Sequence, residues 1–194
     1  MARRIFIGYA TGDEDNVREL YGALSRLEGV EAYIPEWDDS INKVFSRKIR
    51  DGLEHADLAV FLITFNSTNT IWLNQEVGYA SAKNIPVISV VERGIDVKGF
   101  LEGSQHLVFQ RANFRLNIRQ IVSEVLGFFS KVGNPITSFK STCPSCNKEF
   151  SEILPRMESL NEKIERGLNL SLQCKLCSAT FEADPITFVA QNTG

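Results

Sequence analysis

Leu58-Ala59-Val60-Phe61-Leu62-Ile63-Thr64-Phe65, with Asn69-Thr70-Ile71-Trp72-Leu73-Asn74-Gln75-Glu76-Val77-Gly78-Tyr79-Ala80 a few residues downstream, sets a continuous apolar run beside a helix-compatible one. The first has the length and β-branched content of a strand covered on both faces, and such strands belong to parallel sheets. A helix then has to follow. Outward from this unit, similar apolar runs lie at residues 5–9, 30–34, 85–91 and, more weakly, 106–109. Amphipathic segments fill the gaps between them, so the pattern predicts an α/β fold with a five-stranded parallel sheet.

The helices carry their own signals. Val17, Leu20, Tyr21, Leu24 and Leu27 form an apolar stripe, and Thr11-x-x-Glu14 reads as a capping box that starts this helix near Gly12 or Asp13. Ile41, Val44, Phe45, Ile49, Leu53 and Ala56 form a second stripe, with Ser40 as its cap. The third helix spans about residues 70–83 and is rich in small residues on its second half, where Gly78, Ala80, Ser81 and Ala82 permit close packing. Residues 93–105 read as a loop with one helical turn, and a final helix covers residues 112–130.

Beyond Phe129 the composition changes. Residues 1–130 form the first domain, 131–140 a linker broken by Gly133 and Asn134-Pro135, and 141–194 a small second module. All four cysteines lie in that module, as Cys143-x-x-Cys146 and Cys174-x-x-Cys177. A two-residue spacer turns both thiolates of a knuckle toward one metal, so two such pairs read as a structural Zn²⁺ site in a zinc-ribbon-like module. Disulfides or a redox dithiol are the alternatives. Phe150 and Phe181 stand four residues after Cys146 and Cys177, as two similar knuckles would require. Residues 155–167 read as a short helix inserted between the two halves.

Charge and length bound the function. A formal net charge of −3, from 21 basic and 24 acidic residues without a block of either sign, gives sequence-independent nucleic-acid binding little support. No segment has the length of a membrane span or of a signal peptide's apolar region, so a cytoplasmic location without membrane contact is expected. There is no Gly-x-Gly-x-x-Gly and no phosphate-binding loop of the Gly-Lys-Ser/Thr kind, which disfavours dinucleotide redox chemistry and nucleoside-triphosphate hydrolysis.

Trp72 and Glu76, at i and i+4, share one helix face at the carboxyl end of a strand, where open α/β sheets place their ligand crevice. Their plainer reading is a core indole and a solvated acid. The two histidines, His55 and His106, have no companions that suggest catalysis.

The first two thirds of the chain resembles the flavodoxin-like TIR domain (Toll/interleukin-1 receptor, resistance protein), especially its prokaryotic members. The residues that carry the likeness are Ile5-Phe6-Ile7-Gly8-Tyr9 followed by Asp13; Val30-Glu31-Ala32-Tyr33-Ile34-Pro35-Glu36-Trp37, similar to the second strand and BB loop; and Trp72-x-x-x-Glu76. Gly8 stands where the family often has serine. The resemblance implies cleavage of NAD⁺ at the nicotinamide–ribose bond, to ADP-ribose or a cyclic isomer, with Glu76 catalytic. It also implies self-association and a part in signalling or defence against phage. Trp72, with Tyr9, Ala10, Thr11 and Gly12 at the end of the first strand, is a candidate for ligand binding, as are Trp37 and Phe45 beside the BB loop. Loop capping is the alternative for residues 9–12, and core packing for Trp37 and Phe45. A non-catalytic TIR scaffold and a nucleoside deoxyribosyltransferase-like enzyme are the competing functions.

Overall fold

The computed structural model describes residues 2–39, 44–68, 70–102 and 105–191, the side chain of Phe45 excepted. Five parallel strands, β1 (Arg3–Gly8), β2 (Val30–Tyr33), β3 (Leu58–Ile63), β4 (Val87–Glu92) and β5 (His106–Phe109), form one sheet in the order β2-β1-β3-β4-β5. The expected α/β fold with a five-stranded parallel sheet is present. Each strand lies within two residues of its predicted place, marked by an apolar run; β1, β3 and β4 are largely buried, the edge strands β2 and β5 only in part.

Alternation along β1 shows how the sheet divides the core. Ile5 and Ile7 join one apolar cluster and Phe6 the other, since successive side chains of a strand point to opposite faces. Helices α1 (Glu14–Arg26) and α4 (Phe114–Lys131) cover the Ile5/Ile7 face, while α2 (Phe45–Glu54) and α3 (Ile71–Ala82) cover the face of Phe6. Strand order reverses direction between β1 and β3. At such a switch point the flanking connections leave toward opposite faces and open a crevice at the carboxyl ends of the strands.

One detail differs from the sequence reading. Asp13, not Thr11, is the N-cap of α1; its side chain makes no capping bond, and the Glu14 carboxylate reaches back to the Gly12 amide at 2.9 Å. The reason is that Asp13 has stronger partners elsewhere, described below. The cap expected at Ser40 lies outside the described residues.

The C-terminal segment forms a two-stranded sheet, β6 (Ser138–Thr142) with β7 (Glu149–Ile153), and a three-stranded sheet of β8 (Leu170–Gln173), β9 (Thr180–Ala183) and β10 (Ala190–Gln191). Helix α5 (Met157–Glu165) connects the two, in the place of the expected insertion. Strand β6 begins inside the stretch read as a linker. Its Phe139 is fully buried, stacks on Phe188 at 4.4 Å between ring centroids, and belongs to the same apolar cluster as α1 and α4. Polar contacts reinforce this docking: the Glu28 amide donates to the Ser138 carbonyl at 2.9 Å, and Arg3 donates to the Asn134 and Pro135 carbonyls. No helix among the described residues is long and apolar enough to cross a membrane.

Candidate functional site

Helix α3 enters at Thr70 and places Glu76 in its second turn, over the β1/β3 switch point. Glu76 is only 4% exposed, and its Oε2 has no hydrogen-bond partner among the described residues. Burial without a partner disfavours the charged form. Desolvation, and in smaller part the nearby Glu36 charge, push the Glu76 carboxyl up to about 8. In the unliganded chain at neutral pH it is therefore mostly a neutral acid.

Gly8 explains how the carboxyl comes to sit so deep. A Cβ built on Gly8 would stand 2.6 Å from Glu76 Oε2 and 2.5 Å from Phe61 Cδ1. Its missing side chain is the recess that Glu76 and the Phe61 ring fill. A serine here would require one of them to move.

Trp72 and Glu76 line one cavity of about 150 Å³ together with Arg50, Gln75 and Tyr79. The i, i+4 spacing thus does put both on one wall. Trp72 is 55% exposed at the rim. The other residues singled out from sequence are placed less directly. Tyr9 and Ala10 are buried at the end of β1, and Thr11 and Gly12 are exposed in the turn that follows, with Gly12 at a left-handed φ of 98°. Burial and the Glu36 charge hold the Tyr9 hydroxyl above its usual range. Trp37 packs edge-on against Tyr21 at 5.0 Å, with the Arg18 guanidinium 5.5 Å from its ring centroid; it does not line the Glu76 cavity. Phe45 lies at the start of α2, and its side chain is outside the described residues.

A polar clamp that the sequence reading did not find, buried at Asp13, Thr64 and Glu92 and half-open at Arg111, ties the strand ends together. Asp13 accepts hydrogen bonds from Thr64 Oγ1 at 2.5 Å and Asn66 Nδ2 at 2.9 Å, and Arg111 pairs with Asp13 at 2.9 Å and with Glu92 at 3.0 Å. Glu92 also accepts from the Phe65 amide at 3.1 Å. Three separate strand ends and the loop leading into α3 are thus held by one guanidinium and two carboxylates. The Arg111 bonds hold Glu92 below the usual carboxylate range. Arg111→Met removes the cation and leaves Asp13 buried among neutral donors. The expected loss is about 2–3 kcal/mol in chemical denaturation, with faster proteolysis of residues 64–70. An unchanged midpoint would show that the clamp is incidental.

In the C-terminal segment the four cysteines converge, with their sulfurs all within 4.8 Å of one another. Cys143 and Cys177 Sγ are 3.6 Å apart, and Cys146 and Cys174 Sγ 3.8 Å. Four thiolates about 2.3 Å from a tetrahedral zinc would stand about 3.8 Å from each other, so the donor set fits that metal in both chemistry and size. None of the four forms a disulfide. The knuckles are built alike. Asn147 and Ser178 donate their amides to the Cys143 and Cys174 carbonyls and take positive φ of 54° and 62°, while the Cys143 and Cys174 amides donate to the Lys148 and Ala179 carbonyls. Phe150 and Phe181 meet edge to face behind them, 6.0 Å apart.

A family model described as the TIR domain matches residues 5–122. Among solved structures, the TIR domain of the Toll-related receptor TRR-2 from Hydra magnipapillata is similar at a TM-score of 0.53 and 17% identity, over 62% of this chain and 95% of that one. The CMP N-glycosidase BcmB of Clostridium botulinum aligns at a TM-score of 0.46 and 14% identity, over 62% and 99% of the two chains. A 2-desoxiribosyltransferase from Leishmania mexicana aligns at 0.37 and 16%, over 60% and 97%. No curated protein matches the sequence.

Proposed function

Because this chain belongs to the TIR domain family, we propose that it cleaves the nicotinamide–ribose bond of NAD⁺, with Glu76 as its catalytic group. The observation that carries the reading is a buried carboxyl oxygen without a partner, in a cavity shared with an indole at the sheet's switch point. A polar atom held dry and unpaired costs stability, and such sites are candidates for function.

The chemistry suits one carboxylate. When the C1′–N bond breaks, its electron pair goes to the pyridinium nitrogen, so nicotinamide leaves neutral and needs no protonating acid. Positive charge is left on the ribose, as in glycoside hydrolysis. A carboxylate fixed beside the ring stabilises that cation and accepts a hydrogen bond from a ribose hydroxyl. The arriving pyridinium favours ionisation of Glu76, so binding releases its proton. Trp72 offers a face for stacking on the sugar or base. Water then captures the cation, giving ADP-ribose and a proton, or a group of the same molecule does, giving a cyclic isomer.

At about 150 Å³, the space enclosed by the described residues holds only a fragment of a dinucleotide. A second chain that completes the wall is consistent with this size, and self-association would then switch the activity on. Destruction of NAD⁺, or the nucleotide it yields, would serve signalling or defence. The four thiolates hold a structural Zn²⁺, since a four-sulfur shell leaves no open position for substrate. Mass spectrometry of NAD⁺ incubated with increasing concentrations of protein should show nicotinamide with ADP-ribose or its cyclic isomer. Intact NAD⁺ under concentrated and crowded conditions, with the chain shown to be assembled, would favour a scaffold instead.

A further inference from the structure

Helix α1 carries a second feature, on the flank away from Glu76. Arg18, Gly22 and Arg26 recur every four residues and therefore share one face of that helix. They line an open depression of about 350 Å³, walled also by Glu19 of the same helix, Arg115 of α4, and Asp184 and Thr187 of the turn between β9 and β10. The cavity thus lies at the seam between the sheet domain and the C-terminal segment. Its volume is that of a small-ligand site.

The charges in it are unevenly matched. Arg115 is paired, to Asp184 at 2.5 Å and to Glu19 at 3.7 Å. Neither Arg18 nor Arg26 has a carboxylate partner among the described residues; Arg18 lies over the Trp37 ring, and Arg26 folds back to donate to the Gly22 carbonyl at 3.0 Å. Gly22 keeps the floor between them open: a Cβ there would meet nothing nearer than Arg26 Nη1 at 3.7 Å. A helix interior ordinarily disfavours glycine by about 1 kcal/mol relative to alanine, so an empty floor has a cost.

We propose that this seam cavity is a binding site for a small phosphate-bearing anion, a diphosphate group fitting it best. Guanidinium groups present paired N–H donors that match phosphate oxygens. Arg18 and Arg26 rise about 12 Å apart along the helix; Arg26 folds toward the glycine between them, whereas the Arg18 guanidinium lies over the Trp37 ring at the far end of the cavity. Arg26 supplies the first contact to one phosphate, and swinging of the Arg18 guanidinium off the indole supplies a second, while the paired Arg115 adds field. A bound anion would fasten α1 to the C-terminal turn and so link the two parts of the chain. This site is independent of NAD⁺ cleavage, and its test reads binding, not turnover.

Calorimetric titration of the full, metal-loaded chain with inorganic diphosphate, and separately with orthophosphate, decides the matter. Diphosphate should bind more tightly than orthophosphate and lose affinity as salt rises. Arg26→Glu should weaken it by roughly ten- to hundredfold, the range for a lost charge-assisted contact. Gly22→Leu should abolish it by filling the floor, at a helical position that accepts a side chain, and this variant decides alone if Arg26→Glu does not fold. Unliganded melting curves establish folding. Absence of binding at millimolar diphosphate, or binding that survives Gly22→Leu in the folded chain, would overturn the proposal.

Discussion

Replacing Glu76 by glutamine is expected to lower nicotinamide release from NAD⁺ by about 10²–10³-fold or more, the usual effect of removing a preorganised electrostatic group. The same substitution should change the pH dependence of stability. In the folded chain the carboxyl titrates at about 8, against 4.5 for its ordinary value. Below pH 4.5 both folded and unfolded chains hold the proton, and the group is neutral in its effect. As pH rises from there the unfolded chain gives up the proton while the folded chain keeps it, so native stability falls until the folded group also ionises near pH 8. The accumulated penalty is on the order of 3–5 kcal/mol. Glutamine has no such proton. Denaturation midpoints of the two proteins, compared across this pH range, should diverge in favour of the variant and then run parallel. Curves that stay parallel throughout would mean that Glu76 is not held as a neutral acid, and equal nicotinamide release would remove it from the reaction.

Removal of metal should have the largest structural effect. The chain as purified is expected to hold one zinc per molecule, and a chelator should unfold the region of β6 to β10. Binding of a structural zinc contributes about 10–16 kcal/mol, comparable to the whole stability of an ordinary domain. The loss should not stop there. Phe139 and Phe188 share an apolar cluster with Ile118, Ile121 and Leu24 of α4 and α1. Hydrogen exchange of the α1 and α4 amides should therefore quicken on chelation, with the thermal midpoint of the sheet domain falling as well. Cys143→Ser should reproduce both effects. A chelated protein with unchanged midpoint and unchanged exchange would show that the thiols are not the keystone of this segment.

The parts of the molecule that were legible in its sequence are those governed by short periods. Strands β1 to β5 announce themselves as apolar runs, and α4 by residues such as Ile118, Val122 and Val125 at helical spacing. The shared wall of Trp72 and Glu76 follows from one turn of helix, and the cysteine cluster from two-residue spacers. What was not legible depends on partners far apart in the chain. Asp13 beside a helix start looks like a cap; only the fold brings Thr64, Asn66 and Arg111 to it. Gly8 reads as a substitution for serine, and nothing near it in sequence reveals the Phe61 ring and the carboxyl that occupy its space. Phe139 falls in the stretch read as a linker, yet with Phe188 it joins the apolar cluster of α1 and α4. The arginines of α1 carry no signal of their own in sequence, because the turn that faces them lies near the other end of the chain.

The β-ribbons packed on α1 and α4 also decide from which side another molecule can approach. One broad side of the parallel sheet is partly upholstered, so a newcomer arriving there meets ribbons as well as the open flanks of α1 and α4. The opposite side, with α2, α3 and the rim tryptophan, keeps its own surface. Any stacking of copies would in this way be lopsided, since the two sides of the sheet present different surfaces.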